Sequence, residues 1–213
     1  MKTTSISPTS LKRFPKYRAI AQALGNLGWD YITSADLARA CDMQEVLVRK
    51  DLAQTGVVGR PHYGYQIKAL IASVNRVLGW DRPRKAFFVG AGWLASSVSL
   101  YPVFTECNIQ FAFAVDTDPQ KIGTQMNGIP VISGQEAVVR LAEEPIGLAL
   151  LSVPVSAAQS VTDELVKAGV KAILNFTPAA ITVPDGVAVV DANLYPFLAE
   201  LCFSLAEGEA ARG

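Results

Sequence analysis

Residues 86–98 read Ala-Phe-Phe-Val-Gly-Ala-Gly-Trp-Leu-Ala-Ser-Ser-Val: an apolar run enters a glycine turn and leaves it as a helical pattern. That order is the strand–turn–helix opening of a dinucleotide-binding βαβ unit. Gly90 permits the tight turn, Gly92 lets the backbone approach a pyrophosphate, and Ala95 is small enough for close helix–strand packing. Backbone N–H groups at the new helix's start would meet the phosphates, which places Ala91, Trp93 and Leu94 beside the ligand. Glycines in a strand–helix turn are common, so the second apolar run, Phe111–Val115, matters. It ends at Asp116, 24 residues after Gly92, near where an acid should meet the adenine ribose hydroxyls.

From residue 86 onwards apolar runs at 86–90, 111–116, 129–131, 146–151, 171–175 and 187–190 alternate with helical patterns at 93–101, 134–142 and 156–168. Such alternation implies a mainly parallel sheet covered on both faces. Residues 146–151 and 172–174 are apolar throughout, as doubly buried strands should be. Leu151-Ser152-Val153-Pro154 and Asn175-Phe176-Thr177-Pro178 follow successive strands. Loops at those carboxyl ends line the ligand crevice of open parallel sheets, so Val153, Pro154, Asn175 and Phe176 join the candidate cofactor residues. Prolines that merely end strands are the plainer reading. A last helix at about 195–207 carries Phe197, Leu198, Leu201, Cys202 and Leu205, and either closes its own fold or packs on a partner subunit.

The front of the chain has another character. Net charge is zero over 213 residues, but residues 1–80 carry +6, residues 81–85 carry +2 and residues 86–213 carry −8. Two domains are implied, of which only the first could face a polyanion. The three cysteines are far apart and none forms a C-x-x-C pair, so neither a disulfide frame nor a metal site is expected. The N-terminal Lys, Thr and Ser lack the apolar core of a signal peptide. No apolar run reaches the ~18 residues needed to span a bilayer. The expectation is a cytoplasmic protein with no membrane partner.

Within the front, Ser7-Pro8 starts a helix to about Leu24, with Pro15 predicting a kink and Lys12, Arg13, Lys16 and Arg18 crowding its first half. Ser34 reads as the N-cap of a short helix carrying Leu37 and Ala38. A tight turn at Asp42-Met43 leads to a second short helix at 44–54. The pair forms a helix-turn-helix, and the second helix carries Arg49-Lys50, suited to phosphates or guanine edges in a major groove. Residues 56–65 form a glycine-rich hairpin with a basic tip, like the wing of a winged helix, and a helix at 66–78 follows. His62, the only histidine, lies in that hairpin with no visible catalytic partner. Residues 79–85 are polar and proline-bearing and mark the domain junction.

With this order of parts, the chain resembles the Rex family of bacterial redox-sensing transcriptional repressors over nearly its whole length. The matching stretches are Ser10–Tyr17, Val48-Arg49-Lys50-Asp51-Leu52, Gly64-Tyr65, Val89–Gly92, Tyr101-Pro102, Val115–Gly123, Val153-Pro154, Ala157–Gln159 and Ala168–Pro178. The resemblance implies a homodimer of winged-helix DNA-binding domains and Rossmann domains that bind NAD(H), with the C-terminal helix exchanged between subunits. NADH closes the dimer and releases the operator, whereas NAD+ permits binding. Trp93 stands where the family usually has Asn or Arg, Ala95 where it often has Gly, Leu47 where it has Gln, and Leu194 where Phe is frequent. Asn193 occupies the place of a switch Asp that partners Tyr101 in one state and Arg13 in the other. Asn cannot form that salt bridge; Asp191 could substitute if the local backbone shifts.

The expected fold is therefore α/β: a winged helix-turn-helix domain over 1–80, a linker at 81–85, a Rossmann-type doubly wound parallel sheet over 86–194, and a dimerisation helix and tail over 195–213. Lys12, Arg13, Lys16, Arg49, Lys50 and Arg60 are the expected contacts to a double-stranded DNA operator. Gly90, Ala91, Gly92, Trp93, Leu94, Ala95, Tyr101, Asp116, Val153, Pro154, Asn175 and Phe176 are those to NAD(H). Arg13, Tyr101 and Asn193 form the expected switch. No catalytic residue is expected. Two rivals remain: a related DNA-binding paralogue whose ligand response is lost or altered, and an NAD- or CoA-binding enzyme subunit. A dehydrogenase would need an acid/base group near the nicotinamide, and a CoA-binding subunit leaves the basic front unexplained.

Overall fold

The computed structural model describes residues 6–192 and 194–210 and divides into two compact units. The first runs to Pro83 and takes in Glu106–Asn108; the second holds Arg84–Thr105 and everything from Ile109 onwards.

The first unit opens with α1 (Pro8–Asn26). Ser7 caps it by accepting from Ser10 N at 3.1 Å, and Pro8 fills a first-turn position where a missing N–H is no loss. The helix continues through Pro15 without a break; the ring removes only the one bond to the carbonyl four residues earlier. Then come β1 (Tyr31–Ile32), α2 (Ser34–Cys41), α3 (Glu45–Thr55), β2 (Tyr65–Gln66) and α4 (Ile67–Leu78). The cap of α2 is Thr33 rather than Ser34. Thr33 Oγ1 accepts from Asp36 N at 3.1 Å while the Asp36 carboxylate accepts from Thr33 N at 3.3 Å. This reciprocal box needs an acid three residues after the cap, and Leu37 could not provide it for Ser34.

The 56–65 segment is less of a hairpin than expected. It holds a single bridge, Arg60 to Gly64, and β2 pairs instead with the distant β1, Tyr31 with Gln66 and Ile32 with Tyr65. Gly64 has φ +86°, and a Cβ there would overlap the Ile32 carbonyl, so only glycine permits that close strand approach. Phe14, Tyr17, Leu37, Val48, Leu52, Leu70 and Val74 are fully buried in the core shared by the four helices.

In the second unit, β3 (Arg84–Val89), β4 (Ile109–Val115), β6 (Ile129–Ile132), β7 (Leu148–Leu151), β8 (Ala172–Asn175) and β9 (Ala188–Asp191) are parallel to their neighbours, and β5 (Gln125–Met126) adds an antiparallel edge. Their spatial order is β5-β6-β4-β3-β7-β8-β9. Side chains alternate between faces. Phe87 and Val89 join a cluster with Ala137 and Leu141 of α7 (Gly134–Glu143) and Ala158 and Leu165 of α8 (Val155–Lys167). Ala86 and Phe88 join Ala95 of α5 (Trp93–Ser99) on the opposite face. The helical pattern over 93–101 ends early: α5 stops at Ser99 and a separate helix α6 (Pro102–Glu106) follows, because the residue before a proline is driven out of the helical region. The last helix, α9 (Tyr195–Ala210), has Phe197, Leu198, Leu201, Phe203 and Leu205 all exposed.

Candidate nucleotide cleft and nucleic-acid interface

The strand order reverses at β3, with β4 on one side and β7 on the other. A crevice opens at the carboxyl ends of strands at such a reversal. Here it is a cavity of about 410 Å³ whose lining includes Gly90, Gly92, Asp116, Lys121, Val153 and Pro154. Gly90 has φ +94° and donates its N–H to Val115 O at 2.8 Å. At Gly92, which caps α5, a Cβ would meet nothing within 4 Å. The protein's own packing therefore does not require glycine at that position; the open space serves whatever occupies the cleft. The first hydrogen bond within α5 runs from Ser96 N to Gly92 O at 3.0 Å, so the preceding N–H groups lie at the cleft mouth.

Asp116 ends β4 at the lip of the cavity. Burial pushes its carboxyl up, but hydrogen bonds from Asp118 N, Lys121 Nζ and Ala91 N outweigh that and hold it below the usual carboxylate range. The three distances are 2.9, 3.0 and 2.8 Å. The result is an ionised acceptor fixed to the glycine turn. Such a group suits a ribose diol and opposes a phosphate in the same place.

Trp93 and Ala91 line an adjoining open cleft with Lys121 and Asn127; Trp93 is 83% exposed. Leu94 is part-exposed, Ala95 is buried in the cluster of Ala86, Phe88 and Ala114, and Tyr101 is exposed just beyond α5. Asn175, expected beside the cofactor, has its side chain engaged within the protein. It is fully buried, its Nδ2 donates to Ala179 O and to Asp191 Oδ1, and its Oδ1 accepts from Thr177 N and Thr177 Oγ1. A buried amide with every group satisfied holds the loop after β8 and has nothing left for a ligand. Phe176 packs half-buried against the cluster around Phe88. Thr117, Lys121 and Ser152 line the cavity but were not among the expected site residues; each is a neighbour of a motif residue in the chain.

In the first unit, α3 turns Val46, Leu47, Arg49 and Lys50 outwards while Val48 and Leu52 enter the core. Arg49 is held at both ends of its fork: Nε donates to Ser34 Oγ at 3.1 Å and Nη2 pairs with Glu45 at 2.6 Å. Ser34 Oγ donates in turn to Glu45 at 2.8 Å. These bonds, that from Ser34 first, keep the Glu45 carboxyl below its ordinary value. Arg60 stacks 5.5 Å from the Tyr31 ring centroid, and Tyr31 contacts Tyr63, so the exposed tip is tied down. Lys12 is exposed; Lys16 is exposed but donates to Cys41 O at 2.9 Å. Arg13 departs from the expectation of a phosphate-facing cation: it is paired with the buried Asp51, and its side chain is only 15% exposed.

Comparison with known proteins agrees with both halves. A family model described as "Putative DNA-binding protein N-terminus" matches residues 5–53, and one described as "CoA binding domain" matches residues 81–179. A redox-sensing transcriptional repressor Rex of Treponema denticola is 38% identical over 185 residues, 87% of this chain and 88% of that protein. The chain belongs to the Rex family. Among solved structures, the Rex-family repressor RSP in complex with β-NAD+ and operator DNA superposes with a TM-score of 0.91 at 27% identity, covering 98% of this chain and 96% of that one. RSP in complex with β-NADH gives 0.85 at 26% identity, covering 98% of each. The match to the CoA-binding model is thus a likeness of the sheet, since the Rex relatives span both units. Of the three positions read as the Rex switch, Asn193 lies outside the described residues. Asp191, its possible substitute, accepts from Asn175. No helix of the described residues is long and apolar enough to cross a membrane, and no group of His, Cys, Asp and Glu among them could hold a metal.

Proposed function

We propose that this chain acts as a dimeric DNA-binding transcriptional repressor that reads the NADH/NAD+ ratio, NADH binding releasing the operator. The observation that carries the reading is the pairing, in one chain, of a basic outward-facing helix α3 with a nucleotide cleft edged by an ionised acid. Arg49 and Lys50 read the major groove, Arg60 on the tip reaches the minor groove, and Lys12 and Lys16 lie near phosphates. The glycine turn at Gly90 and Gly92 seats the pyrophosphate with Ala91, Trp93 and Leu94 beside it, Ala95 lets α5 approach the sheet, Asp116 takes the adenine ribose, and Val153 and Pro154 line the far wall. Tyr101 belongs to the switch with Arg13 and Asn193. The protein is a regulator and not an enzyme: NAD(H) is its signal, and the chemistry of that signal is the redox state of the nicotinamide.

The apolar surface of α9 supports a homodimer in which this helix is covered by the second subunit. A two-fold repressor implies a palindromic operator. Release requires that NADH bind one arrangement of the dimer better than the other; equal affinity for both would shift nothing. A repressor of genomic DNA is expected to act in the cytoplasm, where its free cysteines would stay reduced.

Asp116→Asn tests the cleft. Without the carboxylate, NADH affinity is expected to fall about tenfold while NADPH loses much less, since the acid selects the ribose hydroxyl against a 2′-phosphate. Nucleotide fluorescence titration measures both. Unchanged NADH affinity would remove Asp116 from the site. A second reading retains DNA binding with an altered ligand response, and the exposed indole of Trp93 where Rex usually has Asn or Arg favours it; operator release by a nucleotide other than NADH is its signature.

A further inference from the structure

Asp51 follows Arg49 and Lys50 directly in α3 but faces the opposite way. It is 1% exposed, and all its strong partners lie on α1. Arg13 Nε donates to Oδ2 at 2.6 Å, Arg13 Nη2 to Oδ1 at 2.7 Å, and Tyr17 Oη to Oδ2 at 2.7 Å. Arg13 Nη2 also reaches Ser10 Oγ at 3.2 Å, and Gln54, one turn beyond Asp51, reaches the same hydroxyl at 3.4 Å. The other polar contacts of α3 go to α2 (Ser34 with Glu45 and Arg49) and to α4 (Thr55 with Ser73) and are single bonds. Towards α1 its other contacts are mostly apolar, through Phe14, Val48 and Leu52, and apolar contacts tolerate sliding and rotation. A planar two-point guanidinium–carboxylate pair does not: it fixes both distance and direction. Successive residues on a helix lie about 100° apart, so any rotation of α3 that breaks this fork swings Lys50 by the same angle.

We propose that Asp51 is a positioning residue for operator recognition, clamping α3 to α1 through Arg13 and Tyr17 so that Arg49 and Lys50 meet base edges in one register. This rests on the reading of α3 as the recognition helix. Arg13 acts as the other jaw of the clamp and contributes no phosphate contact. Replacing both members of a buried ion pair with apolar residues is often neutral for stability, whereas removing one leaves a buried charge, so the double change separates the clamp from folding.

The test uses the full chain and compares anisotropy on a Rex-type palindromic duplex and on an unrelated duplex of equal length, over a salt series, with NADH binding and thermal unfolding measured alongside. The variants are Asp51→Asn, Arg13→Met, and the double change Arg13→Met with Asp51→Leu, which leaves no buried charge unpaired. For Asp51→Asn and the double variant, preference for the palindrome is expected to fall about tenfold or more, with NADH affinity unchanged in Asp51→Asn. The double variant should melt close to wild type. Asp51→Asn should bind the unrelated duplex as wild type does. Folded variants that retain the full preference overturn the clamp. So does a salt slope that is shallower by about 0.9 in Arg13→Met alone, which would make Arg13 a phosphate contact. If the wild-type chain shows no preference for any palindrome, the recognition-helix reading falls and the clamp with it; a wild-type preference shared by the variants sinks only the clamp.

Discussion

Gly90→Ala is expected to lower the stability of the chain by at least about 3 kcal/mol and to abolish NADH binding. A left-handed φ of +94° alone costs a side chain about 1–2 kcal/mol. The added Cβ would also overlap the carbonyl of Ser152, which is backbone and cannot rotate away. Neither chain can retreat: Gly90 N is bonded to Val115 O, and Ser152 N to Val89 O, each at 2.8 Å. For a chain of this size the loss corresponds to a melting temperature lower by about 6–12 °C. Gly92→Ala is the control. Its φ of −87° suits any residue and its missing Cβ faces open space, so the melting temperature should hold while NADH affinity drops about tenfold, the backbone being pushed from the pyrophosphate. Thermal unfolding with and without NADH distinguishes the two. A Gly92→Ala variant that keeps full NADH affinity would remove that glycine from the ligand site.

The other large effect is expected on the DNA side. Arg49→Ala and Lys50→Ala should each weaken operator binding by about 1–3 kcal/mol, roughly 5- to 150-fold, and relax the base preference. Arg49→Lys should not rescue, because the fork held between Ser34 and Glu45 presents a planar face that an ammonium cannot reproduce. Lys12→Ala should behave differently: a uniform loss on all duplexes and a salt slope shallower by about 0.9, the mark of one phosphate contact. Anisotropy on matched and mismatched duplexes reads all of these. Equal loss on every sequence for Arg49→Ala would place Arg49 on phosphate instead of a base.

Local signals made much of this readable from the chain alone. The glycine turn, Asp116 and the alternation of apolar runs place the cleft because each is a short-range pattern. Some local signals were present and outweighed. Thr33 caps α2 because of Asp36, and the Asn127-Gly128 pair, with φ of 51° and 82°, turns β5 back on β6 as such a dipeptide commonly does. What could not be read are pairings across sequence. Nothing near Asp51 says that Arg13, 38 residues away, neutralises it. The pairing of β1 with β2 brings Tyr31 to Gln66 through the packing of four helices, which no window of sequence contains. The surroundings of Asn175 are hidden for the same reason: its position after a strand is that of a ligand contact, while Thr177, Ala179 and Asp191 engage its side-chain amide.

The most direct test of the account is the anisotropy of a labelled palindromic operator titrated with this protein at one fixed salt concentration, with NADH, with NAD+ and with neither. The account predicts that NADH raises the dissociation constant while NAD+ leaves binding intact. A dissociation constant indifferent to both nucleotides would contradict it, even with DNA binding preserved.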